Sequence, residues 1–238
     1  MSRVINLKVR SRQIRVIADK LLFIELLKNL EGRLWGIAAI TGLPIGFAIC
    51  FAIRPDLLAW DTAFSDFGRD VRTAPYFSGA IFYGAYALWR WRGYLERTSK
   101  IRGLATLFVT MTIFGLYMVA LFPVSWEPIA STLHYVGFGI AAMSMLFTVS
   151  FDFLLRRSHD PSNHRLWQLI RILSMVGIVA GVYVTAQSEL FDDTFDMALL
   201  GEIMILLSYS LWVWLKTYHP EGEPTMLSKT LAKIVRIE

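Results

Sequence analysis

Cysteine is almost missing from this chain: Cys50 is the only one in 238 residues. An internal disulfide is therefore excluded, and no Cys/His spacing suits a zinc site. Histidine is nearly as scarce, with four. Charge is low as well. Lys, Arg, Asp and Glu make up 18% of the residues, against about a quarter in a soluble domain. There is no Gly-x-Ser-x-Gly elbow, no phosphate-binding P-loop and no dinucleotide fingerprint. The basic, long N-terminus lacks the short apolar core and small-residue cleavage site of a signal peptide, so none is expected. Apolar and polar residues do not alternate in the long apolar runs, which argues against a β-barrel.

What is present is apolar. Hydrophobic residues make up 55% of the chain, and the mean hydropathy is +0.48. The charges are segregated rather than interspersed. This pattern belongs to a polytopic membrane protein, since a helix needs about 20 mainly apolar residues to cross the hydrocarbon. Six runs qualify: 34–53, 76–91, 103–122, 133–154, 169–186 and 197–215, the second being the shortest. The expected fold is all-α, a polytopic six-transmembrane-helix bundle. Residues 1–33 form a basic amphipathic segment, 34–215 the membrane domain and 216–238 a tail.

Basic residues alternate between the two sides of this arrangement. Arg90, Arg92, Arg97, Lys100 and Arg102 occupy the second connection, and Arg156, Arg157 and Arg165 the fourth. The N-terminal segment and the tail are basic too, whereas the remaining connections hold only Arg54, Arg69 and Arg72. The positive-inside rule then places both termini in the cytoplasm. Stripes such as Ile17, Leu21, Ile24 and Leu27 near the start, and Leu227, Leu231 and Ile234 near the end, predict amphipathic helices on the cytoplasmic leaflet. The pI near 9.4 is accounted for by this topology, so nucleic acid is not an expected partner.

Small residues four apart, at Gly177/Gly181, Gly137/Ala141 and Ala80/Gly84, predict close helix packing within the bundle. Pro44 is expected to kink the first span. Trp35, Trp60, Trp89, Trp91, Trp126 and Trp167 fit an aromatic belt at the interfaces.

Polar residues at membrane depth carry the functional expectation. Glu202, in "LLGEIMILL", lies inside the sixth run, where a carboxylate is costly unless paired, protonated or wetted. His134, in "STLHYVGFG", opens the fourth run at the same side. Above both lies "WDTAFSDFGRD", residues 60–70, whose Ser65, Asp66 and Arg69 complete the set of candidate ligand-binding residues. Gly68 is expected to make a tight turn there, with Asp66 over the helix ends. The alternative for Glu202 is a hydrogen bond to a neighbouring helix that only orders the bundle. Asp152, one turn before Arg156, predicts a local ion pair with no further role. The other three histidines fall on the opposite side from His134, so neither a metal site nor haem ligation is expected.

These stretches carry a resemblance. "FSDFGRDVRTAPYFSGAIFYGAYAL", "GLYMVALFPVSWEPIASTLHYVGFGIAAM" and "LLGEI" resemble the six-span bacterial and archaeal membrane proteins of the domain of unknown function 998 family. They are more distantly similar to the Frag1/DRAM/Sfk1 group. Phe67 stands where the family usually has Leu. The resemblance covers about residues 34–215 and implies a six-helix bundle with an outer Ser65–Asp66–Gly68/Pro123/His134 cluster. It implies no reaction.

Three functions compete on these grounds. The first is a non-enzymatic lipid-interacting or accessory subunit of a membrane complex, with lipids and other membrane subunits as partners. The second is an outer-leaflet lipid head-group enzyme using Asp66, His134 and Glu202. The last is a small transporter, for which repeated halves and broken helices would be expected and are not evident.

Overall fold

The computed structural model describes residues 2–57, 59, 62–99, 102–122, 124, 128–155, 164–188 and 197–218, with side chains from residue 20 onward except 22, 25, 102, 155 and 164. Among the described residues there are six α-helices and no strand: α1 Ser2–Ile53, α2 Ala74–Thr98, α3 Arg102–Leu121, α4 Pro128–Leu155, α5 His164–Ala186 and α6 Ala198–Tyr218. Each coincides with one of the six apolar runs, overshooting it or falling short by a residue at most.

Five helical stretches are long and apolar enough to cross a membrane: Leu26–Ile53, Gly103–Leu121, Pro128–Leu154, Arg165–Ala186 and Ala198–Tyr218. By length and composition this is consistent with an integral membrane protein. α2 is not among them. At 25 residues it is long enough, but Arg90, Arg92, Glu96 and Arg97 crowd its second half.

The N-terminal basic segment is not a separate helix. α1 runs unbroken for 52 residues, about 78 Å at 1.5 Å per residue. No glycine precedes Gly32 and no proline precedes Pro44, so nothing in the local sequence ends the helix between the basic segment and the apolar run. The helix also continues through Pro44. The amphipathic stripe near the C-terminus lies outside the described residues.

Consecutive helices pack side by side from α1 to α6, and α6 closes back on α1 and touches α4. Small residues set these contacts. A Cβ on Gly115 would meet the backbone of Gly137 and Ala141, one on Gly181 the backbone of Gly201, and one on Gly46 the side chain of Ala80. The three small-residue motifs therefore serve packing within the chain, at α1–α2, α3–α4 and α5–α6, where backbones approach most closely. Six threonines inside the helices find partners without water. Thr41, Thr98, Thr110, Thr132, Thr148 and Thr217 each donate to the carbonyl one turn earlier. Trp91 does not join an aromatic belt. It is fully buried and stands edge-on to Trp212, with ring centroids 5.8 Å apart.

Candidate functional site

At one end of the bundle, the described residues of the loop between α1 and α2 fold back over the helix ends. Two 3-10 helices, Pro55–Leu57 and Phe64–Gly68, shape this loop. The loop is fastened by charge. Arg54 pairs with Asp56 and Asp70, Arg72 reaches Asp70 at 3.0 Å, and Arg69 reaches Asp66 at 3.0 Å. Arg72, through its side chain and its backbone N–H, and then Arg54 hold the Asp70 carboxyl far below the usual carboxylate range. A depressed folded value means that this fastening is complete at neutral pH and is lost only as pH falls through that depressed value. Thr73 adds a hydroxyl bond to the Phe67 carbonyl at 2.7 Å.

The loop is also fastened by aromatic packing. Phe64 stacks on Phe47 of α1 at 4.0 Å between centroids, nearly parallel at 7°. Phe67 is fully buried and meets Phe51 edge-on at 4.8 Å. Offset and edge-on ring pairs each add about 0.5–1.5 kcal/mol beyond their burial. The turn at Gly68 closes where the Arg69 backbone N–H donates to the Asp66 carbonyl at 3.1 Å, but no glycine among the described residues has a positive φ, so the turn does not draw on glycine's access to the left-handed region. Gly68 simply ends the second 3-10 helix.

Beneath the loop lies a cavity between α1, α2, α3, α4 and α6. It encloses about 570 Å³ of space between atoms, any open mouth included. Its walls are apolar, among them Phe47, Ile81, Leu116, Phe138, Ala142 and Met145. Its polar residues are Ser65, His134 and Glu202. Three of the five expected ligand-binding residues are thus brought together.

Each polar residue has an assignable geometry. Glu202, one turn inside α6, accepts the Phe64 backbone N–H on Oε2 at 2.6 Å. This bond joins residues 138 apart in the chain and ties the loop to the bundle. His134 is buried, and its Nδ1 lies 2.9 Å from the carbonyl oxygen of Phe122, just past the end of α3. A carbonyl can only accept, so Nδ1 carries the proton in this bond. Ser65 is buried, with its side chain on the cavity wall.

Asp66 and Arg69 are not part of the cavity. Asp66 accepts the Ala63 backbone N–H on Oδ2 at 2.9 Å, capping its own 3-10 helix. Its other oxygen faces Arg69, whose side chain is mostly exposed. A short acidic side chain three residues into a turn satisfies the turn's own orphan donors first. That local demand takes Asp66 away from the site. Pro123, like Trp60 and Asp61, lies outside the described residues. Among the described residues no three His, Cys, Asp or Glu side chains stand close enough together to hold a metal ion. What the polar end of the cavity offers is hydrogen bonding.

A second polar centre lies at the opposite end of the bundle. Asp152 of α4 accepts from Arg171 Nε at 2.9 Å, Trp212 Nε1 at 3.0 Å and Lys216 Nζ at 2.5 Å. Asp152, Arg171 and Lys216 are all at least 97% buried. Arg156, the expected partner of Asp152, lies outside the described residues. The observed partners sit on other helices: α5 and α6 present Arg171 and Lys216 directly across from Asp152. Sequence reasoning missed this centre. The available signals were Asp152 and Arg171, ionisable residues inside the fourth and fifth apolar runs, and Lys216 one turn after Trp212.

Comparison with protein-family models, with curated proteins and with solved structures gives no match.

Proposed function

We propose that this chain is a non-enzymatic integral membrane protein that holds the hydrocarbon chain of a lipid-like ligand inside its helix bundle, as a lipid-interacting or accessory subunit of a membrane complex. The observation that carries this reading is the cavity. It is lined almost wholly by apolar side chains, with Ser65, His134 and Glu202 as its polar residues, the pairing of apolar walls with a few polar groups that small-molecule sites show. An apolar chain gains about 25 cal/mol for each Å² removed from water. Inside a bilayer that gain is already provided by lipid, so selectivity falls to shape and to the polar end.

The reading also takes α2 as a sixth span. Ten of its residues are buried, none of them charged, and it packs along both α1 and α3, while Arg90 and Glu96 stay exposed in the half that this reading puts at the cytoplasmic interface. Both termini are then cytoplasmic, in keeping with the basic connections at that side. Reporter fusions after residue 218 and within 125–127 test this: activity of a periplasm-dependent reporter at 125–127 only is expected, and activity at the C-terminus only would reverse the orientation. The prokaryotic plasma membrane and kinship with the domain of unknown function 998 family belong to the same proposal.

The enzyme alternative is weaker. It needs Asp66 beside His134 and Glu202, and Asp66 instead caps its own turn.

The cavity reading is tested by filling it. Ala142 is buried on the wall, and Ala142→Trp adds an indole there. Native mass spectrometry of protein released from nanodiscs is expected to show a bound lipid on the wild type and at least tenfold less on the variant. Equal lipid retention by a folded variant would sink the reading.

A further inference from the structure

We infer that the cavity is closed at its inner end and measures the chain it holds, with Met145 as the residue that sets the length. This rests on the cavity binding a hydrocarbon chain. The wall that α4 contributes runs from His134 to Met145, about 16 Å at 1.5 Å per residue. Met145 is the innermost lining residue of α4, and Leu206 that of α6. One turn further in, all five lining helices are sealed. Ala39 of α1, Ala85 of α2, Thr112 of α3, Val149 of α4 and Tyr209 of α6 are at most 6% exposed, and none of them lines the cavity. Surface facing an open space would count as exposed, so the space ends at this layer.

The layer is braced from behind. Helical side chains lean toward their own N-terminus, so Met145 and Tyr209 lean toward the cavity from α4 and α6. Tyr209 stacks on Trp212, with ring centroids 5.5 Å apart and 23° between the planes. Trp212 is pinned in turn by its Nε1 bond to Asp152 at 3.0 Å. The Thr112 and Thr148 hydroxyls stand beside the Tyr209 phenol, and a hydrocarbon pushed among these polar groups offers them no hydrogen bond. Met145 lies on this brace as its face toward the ligand. With C–C bonds near 1.5 Å, an extended alkyl chain advances about 1.3 Å per carbon, so about 16 Å takes about twelve carbons. Lipid and cavity both keep a methylene out of water. A methylene beyond the closed end gives up its place in the bilayer and gains no wall, so longer chains are rejected.

The test is a chain-length series with one head: octanol, dodecanol, hexadecanol and eicosanol. Each is titrated into the full-length protein in nanodiscs, and bound adducts are counted by native mass spectrometry. Wild type is expected to bind dodecanol at least tenfold more tightly than eicosanol. Met145→Ala opens space at the closed end and is expected to raise hexadecanol binding at least fivefold relative to dodecanol. Val119→Ala opens space at the other end, two residues before α3 stops, and is expected to leave that ratio unchanged. Should Met145→Ala fail to fold, Leu206→Ala enlarges the same closed end and takes its place. Equal binding of dodecanol and eicosanol by wild type, or ratios that move together in the inner and outer variants, overturns the inference while leaving the chain-binding reading intact. Failure of every chain to bind the wild type overturns both.

Discussion

Replacing Asp152 by Asn is expected to destabilise the bundle more than any other single polar change in it. The substitution removes the one carboxylate that Arg171, Lys216 and the Trp212 indole all address. Two cationic side chains then remain almost wholly out of solvent. Breaking a buried ion pair from one side costs about 3–5 kcal/mol, because the stranded charge keeps its desolvation penalty and loses its compensation. Denaturant titration in mixed micelles, followed by tryptophan fluorescence, measures this directly. The control is a triple replacement, Asp152→Leu with Arg171→Met and Lys216→Met. Removing all the charges together with apolar side chains of similar bulk is expected to restore most of the loss, since buried ion clusters are often replaceable at little cost. A triple variant as unstable as Asp152→Asn would mean that the centre contributes shape rather than compensated charge. An Asp152→Asn variant within about 0.5 kcal/mol of wild type, the range of unremarkable surface changes, would mean that the carboxylate is not the hub its geometry indicates.

That centre also shows where the sequence stops being legible. The helices could be read because each apolar run is longer than a strand needs and has no period-two alternation. The depth of Glu202 and His134 could be read from their distance to the helix ends, which is why both, with Ser65, fall on one cavity. Asp152 could not be read in the same way. Its visible neighbour was Arg156, four residues on, and local spacing says nothing about which helix stands opposite. Lys216 counted only as one more basic residue at the cytoplasmic edge, yet it is 2% exposed. Asp66 failed for a different reason. Its carboxylate had two possible employments, its own turn or the cavity, and the nearer donor took it. The partner of Glu202 was invisible in principle, because it is a backbone N–H, that of Phe64, and every residue but proline has one.

The helix contacts give the other large expected effect. Gly115→Val is expected to force α3 and α4 apart. A Cβ at Gly115 would sit 2.5 Å from the Gly137 carbonyl oxygen and 2.6 Å from the Ala141 nitrogen. Both are backbone atoms of a helix, so no rotamer change relieves the overlap and one helix must move. Overpacking of this kind costs about 1–3 kcal/mol and occasionally more. The valine also lies near the cavity walls contributed by Leu116 and Ala141, so displacement of α4 is expected to lower lipid retention along with stability. Gly139→Ala supplies the contrast on the same helix pair. A Cβ at Gly139 meets nothing within 4 Å, and alanine is favoured over glycine in a helix by about 1 kcal/mol. That variant is therefore expected to be as stable as wild type or slightly more so, with lipid retention unchanged. The pair of measurements separates packing from propensity. If Gly115→Val and Gly139→Ala behave alike, the α3–α4 contact is not set by the close approach at Gly115, and the wall it forms beside the cavity has slack enough to absorb a side chain.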